Sequence, residues 1–469
     1  MIQCLKNFIP FCKPSRSNFY LSFKYETYST KSQHTPYLSP HLNYKHFISN
    51  AKDISQNIIN RNIKNANIFK VCSLYENFRN ITTELNALRS EHNELSKSAN
   101  KTSFLSTEES RVNFIESAKK LKQRIQQEES KLIEIENDLL KEALKIPNDT
   151  HPNTPIGKEE NAKLIKRIGE SIAPEGVTSL KDHLTLCKQL NLINLDQASN
   201  VTGSSWYYLM NEGALLELAL IQYGIEKAIQ KGFKPIITPD VIKSEFSDAC
   251  GFQPRDSENL SQNYFISNES SQNLILSATA EIPLAGLYSN KILSHKELPI
   301  KLVGFGRAFR AEAGARGIDT KGLYRVHQFS KVELFTFTRH DQSDEMFEEI
   351  IKLQEEIYKD LGLCFRVMDM PTCELGASAY RKYDMEVWMP GRGRWGEISS
   401  ASNCTDYQSR RLNIRYKSNT TEFVHTLNGT AIAVPRLIIA LLENYQKDDG
   451  SVVIPKVLRK WMGNMDVIK

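Results

Sequence analysis

The stretch from Gly304 to Glu333, GFGRAFRAEAGARGIDTKGLYRVHQFSKVE, gathers polar groups into two strand-like patterns. Val303, Phe305, Arg307 and Phe309 alternate as a half-buried strand requires, and Arg310 and Glu312 then project a cationic fork and an acceptor from its end. After a Gly-rich, charged loop, Leu323 to Phe337 reads as a second strand, with Arg325, His327, Phe329 and Glu333 interleaved among Tyr324, Val326 and Val332. An arginine fork donates two parallel hydrogen bonds to a carboxylate or phosphate and stays charged. With carboxylates and an aromatic ring beside it, the set suits a nucleotide next to an acid. A plain hairpin with surface ion pairs would use the same residue types.

Three other stretches carry groups of the same kind. In LILSATAEIPLAGLY, Thr279 and Glu281 flank Ala280, and a hydroxyl and a carboxylate at that spacing can both accept from an ammonium group. In WGEISSASNCTDYQSRRLNIRY, Glu397 and Ser400 offer two oxygens that one hard cation can share. HTLNGTAIAVPRLIIALLENYQ carries Asn428, Thr430 and Arg436 close together.

RAFRAEAG with GLYRVHQFSKVE resembles motif 2 of the class II aminoacyl-tRNA synthetases in its seryl-tRNA synthetase form, and the likeness extends over about 155–456. NEGALLELALIQYGIEKAIQKGF with KPIITPDVI is similar to motif 1, which builds the family's dimer interface; the Thr279–Glu281 segment is similar to its TxE loop, and the last stretch to motif 3. The resemblance implies an α+β fold: an antiparallel class II β-sheet flanked by helices, preceded by an N-terminal antiparallel two-helix coiled-coil arm. It implies ATP-dependent activation of L-serine to an adenylate and transfer to the 3′ end of serine tRNA, with ATP and Mg2+ bound and a homodimer as the working unit.

The resemblance also implies roles. Arg310, Glu397 and Arg436 are the expected catalytic groups, Arg310 on the serine carboxylate and α-phosphate and Arg436 on the γ-phosphate. Thr279, Ala280, Glu281, Arg310, Glu333, Asn428 and Thr430 are expected around serine. Arg310, Ala311, Glu312, Arg325, Val326, Phe329, Glu397, Ile398, Ser399, Ser400 and Arg436 are expected around ATP, with Phe329 on adenine and Glu312 at its amino group. Glu397 and Ser400 are the expected Mg2+ ligands. A non-catalytic relative that binds tRNA through the arm is the competing reading; such relatives typically lose motif arginines or carboxylates, which are present here.

Other segments must carry and position these groups. Leu74, Phe78, Ile81, Leu85, Leu88, His92 and Leu95 fall in alternating steps of four and three, and so do Phe114, Ala118, Leu121, Ile125, Glu128, Leu132, Ile135 and Leu139. Each seam wants a partner helix, and the polar SKSANKTSFLSTEES between them favours an antiparallel hairpin with helices of roughly 30 to 40 Å. Periodicity alone also admits a homodimerising coiled coil or a spacer; in the family this arm grips tRNA. Residues 70–146 hold thirteen basic and thirteen acidic side chains, so phosphate contact would fall to a local face such as Lys119, Lys120, Lys122 and Arg124. PNDTHPNTP, from Pro147 to Pro155, reads as a linker. DQSDEMFEEIIKLQEEIYKDLGL reads as an amphipathic surface helix.

The 469 residues exceed one typical domain, and the expected division is a leader over 1–50, a tRNA-binding arm domain over 51–150 and a catalytic domain over 151–469. The net charge is +5, but residues 1–52 hold seven basic residues and one acid, which leaves the remainder at about −1. A globally basic nucleic-acid binder is therefore excluded. The leader has the composition of a mitochondrial transit peptide and points to the matrix; a merely disordered tail would look similar. Only 446–469 follow the motif 3 helix, which disfavours relatives with a C-terminal anticodon-binding domain. Eight scattered cysteines without a CxxC pair argue against a zinc ribbon or disulfide framework. No apolar run of about 18 residues suggests a membrane span.

Overall fold

The alternation around Arg307 forms a long strand, β3 (Ile300–Phe309), whose partner β4 runs over Gln328–Thr338. β4 therefore starts five residues later than the pattern suggests. The His327 carbonyl still accepts from Arg310 N–H at 2.8 Å across the hairpin, but its backbone N–H turns to Ser205 O at 3.1 Å, which ends the regular ladder there. The computed structural model describes residues 37–99, 108–170, 174, 177–252, 263–267, 273–311 and 322–469. Glu312 and the Gly-rich loop after it lie outside the described residues.

Six further strands complete the sheet: β1 (Lys163–Ile168), β2 (Lys234–Ile237), β5 (Phe365–Asp369), β6 (Arg381–Met389), β7 (Arg394–Asn403) and β8 (His425–Ala433). Their spatial order is β1-β5-β6-β7-β8-β4-β3-β2, antiparallel throughout except for the parallel pair β2 and β3. Pro239 separates β2 from the short strand Val241–Lys243.

One face of the sheet is apolar and covered by helices. Val332 and Leu334 of β4, Met385 and Val387 of β6, and Leu427 of β8 pack with the helices Asn211–Gln230, Ser343–Asp360 and Val434–Tyr445. Gly224 lets the first of these approach Ile432 closely, because a Cβ there would collide with the isoleucine side chain. That helix stops as read, with Gly232 at φ +84° just beyond its end. The helix Ser343–Asp360 is more buried than a surface helix: Ile350, Gln354 and Ile357 are all fully enclosed. On the other face of the sheet, Phe335 and Phe337 join a second core with Ile275, Ile282 and Leu284. The polar ends of the same strands carry the site.

Toward the N terminus, α1 (Tyr44–Ser49) and α2 (Ala51–Asn60) pack beneath two long antiparallel helices, α3 (Ile68–Ala99) and α4 (Glu108–Ala143). At 32 and 36 residues these are about 48 and 54 Å long, longer than the apolar series alone delimits. Every member of both series is buried or half-buried, including His92 and Glu128, while positions between them are mostly exposed. Lys70–Glu142 at 3.0 Å near the root and Glu84–Arg124 at 2.8 Å farther out fix the antiparallel sense. These pairs are exposed on at least one side, so the seam supplies most of the stability. Leu38–Lys469 forms one compact unit. Among the described residues no helix is long and apolar enough to cross a membrane.

Candidate active site

A β-bulge builds the end of the site that holds Glu397 and Ser400. In a regular strand, residues three apart face opposite ways, so Glu397 and Ser400 would part company. Here β6 and β7 pair Glu386 with Glu397 but Met385 with Ser399, which leaves Ile398 as the extra residue. The bulge turns Glu397 and Ser400 to one face, as their half-buried side chains on either side of buried Ile398 and Ser399 record. Val434–Tyr445 brings in Arg436 on its first turn, beside Glu397.

Arg436 Nη1 lies 3.1 Å from Glu397 Oε2 and also donates to the Glu397 carbonyl at 3.0 Å, while its Nε donates to Tyr324 O at 3.4 Å. The guanidinium sits 4.7 Å from the Tyr324 ring centroid. Burial works against ionisation of Glu397, but Arg436, Lys382 and Arg310 together outweigh it and hold the carboxyl down at about 2. Glu397 is therefore an anion at any working pH, and Glu397 with Ser400 offers hard oxygen donors. Among the described residues no group of three His, Cys, Asp or Glu side chains could hold a metal unaided. Two oxygens on one face fit an ion that keeps water or phosphate oxygens for its other positions, as Mg2+ does.

The adjoining cavity has a volume of about 220 Å³. Arg310, Arg325, Val326, Phe329, Lys331, Ile398, Ser399, Thr430 and Arg436 line it with Glu397 and Ser400. Arg310 lies over the Phe329 ring at 5.4 Å, and its backbone carbonyl lies 3.1 Å from His327 Nδ1. His327 is itself braced, with Tyr264 Oη 2.6 Å from the same nitrogen and the Trp206 ring stacked at 5.6 Å. Ala311 ends the described part of this strand extension.

Beneath the cavity lies a buried polar cluster. Thr430 Oγ1 donates to Glu333 Oε2 at 3.2 Å across the β4/β8 pair, and Lys331 Nζ holds the same oxygen at 2.9 Å. Glu281, at the start of the short helix Glu281–Gly286, accepts from Gln408 Nε2 at 2.6 Å and Asn428 Nδ2 at 3.0 Å, both on Oε1. Burial raises the Glu281 carboxyl, the nearby Glu333 charge adds to this, and the Gln408 hydrogen bond, Lys331 and Arg310 oppose it; the result is about 7. Thr279 is buried and its hydroxyl accepts from Glu281 N–H at 3.4 Å, while Ala280 packs into the second core. Residues spread over 150 positions of sequence, from Thr279 to Thr430, thus meet in one place.

The sequence reading passed over the groups that hold this arrangement. Lys331 was inside the quoted motif, two residues from Glu333 and therefore on its face of the strand. Gln408 and Gln354 had no legible signal, because each acts from a helix on partners distant in sequence. Gln354 Nε2 donates to Ser399 Oγ at 2.8 Å, Ser400 O at 2.9 Å and Thr430 O at 3.0 Å, joining the strands that carry both ends of the site. Asp384 pairs across the ladder with Ser400 and with Lys382 Nζ at 2.8 Å; burial raises its carboxyl and Lys382 opposes that.

Comparison with known proteins gives matches over both halves of the chain. Residues 42–150 match the model of the seryl-tRNA synthetase N-terminal domain, and residues 264–445 that of the tRNA synthetase class II core domain (G, H, P, S and T). The chain is 45% identical over 427 residues to a serine–tRNA ligase of Treponema denticola, covering 90% of this chain and 99% of that one. It is 46% identical over 356 residues to the mitochondrial serine–tRNA ligase of Saccharomyces cerevisiae, covering 75% and 78%. The crystal structure of seryl-tRNA synthetase from Pyrococcus horikoshii complexed with ATP superposes with a TM-score of 0.82 at 35% identity, covering 91% of this chain and 99% of that one. Two matched family models, full-length relatives and a shared fold carry one conclusion: the chain is an aminoacyl-tRNA ligase and belongs to the seryl-tRNA synthetase family of class II synthetases.

Proposed function

We propose that this ligase activates L-serine with ATP at the cavity above β4, β7 and β8 and transfers it to the 3′ end of serine tRNA. The observation that carries the reading is the pairing of an arginine-rich cavity, lined by Arg310, Arg325 and Arg436, with a buried polar cluster of Glu281, Glu333 and Thr430, of which Thr430 also lines the cavity. The reaction needs no side-chain nucleophile, so the protein contributes position and charge. The serine carboxylate attacks the α-phosphate of ATP with pyrophosphate leaving, and Arg310 neutralises the crowded oxygens. Arg436 takes the γ-phosphate, and adenine takes the face of Phe329 that Arg310 now covers. When bound at Glu397 and Ser400, Mg2+ supplies positive charge to the phosphate oxygens. The terminal ribose hydroxyl of the tRNA then attacks the acyl carbon, releasing AMP.

Glu333 and Thr430 would bond the serine hydroxyl, with Glu281 and Thr279 near its ammonium. Alanine has no hydroxyl for that pair, so serine should be preferred by the worth of those hydrogen bonds. Threonine is excluded by space. Pyrophosphate exchange without tRNA, comparing serine, threonine, alanine and cysteine at equal concentration, tests this: exchange with serine alone is expected, and exchange with none of the four from folded protein would favour the non-catalytic tRNA-binding relative.

We assign residues 51–150 to tRNA binding through the arm and 151–469 to catalysis, with 1–50 as a mitochondrial leader. The basic, acid-poor composition of that leader supports a place in the matrix. Fusion of residues 1–50 to a fluorescent reporter tests the location, and a cytosolic signal would overturn it. A homodimer would cover Leu218, 59% exposed on the helix Asn211–Gln230, and Ile237, 86% exposed on edge strand β2. Sedimentation of a single 53.6 kDa species would contradict it.

A further inference from the structure

The connection between the arm domain and the catalytic body, read from sequence as a linker, is a clamp closed by a buried arginine. Arg61, at the end of α2, is fully enclosed. Its Nε donates to Asn57 Oδ1 at 3.3 Å and Thr150 Oγ1 at 2.9 Å, its Nη2 to Asp149 O and Ala379 O, both at 2.8 Å, and its Nη1 to Gly376 O at 3.1 Å. One planar fork therefore joins three segments: the helix beneath the arm, the connector at 149–150 and the loop at 376–379 that leads into β6. A guanidinium suits this because its donors point in fixed directions, whereas an ammonium is a point charge on a flexible stem.

Asn148 closes the other side. Its Nδ2 donates to Ser378 O and Cys404 O, both at 2.8 Å, and its backbone N–H to Ala377 O at 2.8 Å. Cys404 directly follows β7, the strand of Glu397 and Ser400, and β6 lies beside β7. The root of the arm is thus bonded to one end of the strand pair that carries the phosphate site, where Arg381 faces Asn403. A desolvated guanidinium is costly to bury, and it is retained where five acceptors surround it. What the fork adds is a fixed angle. With an arm about 48 Å long, a rotation of about 10° at the root moves the far end by about 8 Å.

We propose that Arg61, with Asn148, is a positioning residue for tRNA charging: it holds the arm at the angle that delivers the acceptor end to the site, and it takes no part in adenylate formation. This rests on the reading of the arm as the tRNA grip.

The test compares Arg61→Met in the full chain and in a chain whose arm is shortened by removing 88–121, with both pyrophosphate exchange and tRNA charging measured. In the full chain, kcat/KM for tRNA should fall about tenfold to a hundredfold, the scale on which ångström misplacement acts, while exchange and the KM for serine and ATP stay put. In the shortened chain, charging is already low and the substitution should cost nothing more, because two changes acting through one element do not add. Asn148→Ala should give the same pattern and serves if Arg61→Met does not fold. A parallel loss of exchange and charging, an equal further loss in the shortened chain, or no loss at all would overturn the clamp. If shortening alone leaves charging unchanged, the grip reading fails and takes the clamp with it; if shortening lowers charging and Arg61→Met does not, only the clamp fails.

Discussion

Glu281 gives the sharpest quantitative test, because its role in binding and its effect on stability should have opposite signs. The residue is 6% exposed, and burial followed by the Glu333 charge raises its carboxyl from 4.5 to about 7. The unfolded chain binds no proton there above about pH 5, while the native state keeps one until about pH 7, so stability falls as pH rises through that window and stays low above it. At about 1.4 kcal/mol per pH unit, the native state carries a penalty of about 3 kcal/mol at pH 8. Gln408 and Asn428 both donate to Oε1, which an amide oxygen in Glu281→Gln would replace, and the amide nitrogen would then stand in place of Oε2, the acceptor proposed for the serine ammonium. The substitution should therefore stabilise the protein by up to about 3 kcal/mol at pH 8, with the gain shrinking toward zero as the pH approaches 4.5. It should also raise the KM for serine about tenfold to a hundredfold, the worth of one charge-assisted hydrogen bond. Urea unfolding of both proteins across pH 4.5 to 8, with serine titrated in the exchange assay, reads both quantities. A variant no more stable at pH 8 than the parent, or one whose gain is the same at every pH, would refute the buried-charge reasoning; an unchanged serine KM would remove Glu281 from the ammonium site.

Arg310→Ala should abolish serine-dependent exchange while leaving tRNA affinity within about twofold, since the site residues and the arm lie in separate parts of the chain; filter binding beside exchange checks this, and surviving exchange would displace Arg310 from the α-phosphate. Glu397→Gln removes the anion beside Arg436 and one of two oxygens offered to Mg2+, so exchange should fall at least about a hundredfold and the Mn2+ affinity of the ATP complex, read by electron paramagnetic resonance, should fall with it. A Cβ at Gly429 would meet Ile350 Cγ2 at 2.5 Å and Gln354 Nε2 at 3.0 Å, pressing on the amide that joins Ser399, Ser400 and Thr430. Gly429→Ala should cost about 1 to 3 kcal/mol in denaturant unfolding and raise the KM for serine, and a neutral outcome would mean that Gln354 is free to shift. Thr430→Val should narrow the preference for serine over alanine by at least about tenfold in exchange, because one of the two groups meeting the hydroxyl is gone; undiminished preference would leave selection to Glu333 alone.

Local chemistry was legible wherever a signal is carried by neighbours in sequence. The seams from Leu74 to Leu95 and from Phe114 to Leu139 specify paired helices because a period of 3.5 leaves each with one apolar edge, and the alternation before Arg310 specifies a strand because side chains there alternate with period two. The motif residues Arg310, Glu333, Glu397, Thr430 and Arg436 could be chosen from type and resemblance, and the fold brings them to one cavity and the polar cluster beneath it.

What the chain could not disclose locally depends on pairs distant in sequence. That Glu397 and Ser400 share a face follows from a bulge defined only against β6, since spacing alone puts them on opposite sides. That the helix Ser343–Asp360 reaches into the site follows from Gln354 meeting strands at Ser399 and Thr430, and that the linker at Pro147–Pro155 is hydrogen-bonded in place follows from carbonyls at 378 and 404. Periodicity records which side of an element is apolar, because burial acts on each residue independently. Hydrogen bonds between segments depend on register and distance, and those exist only once the sheet has assembled.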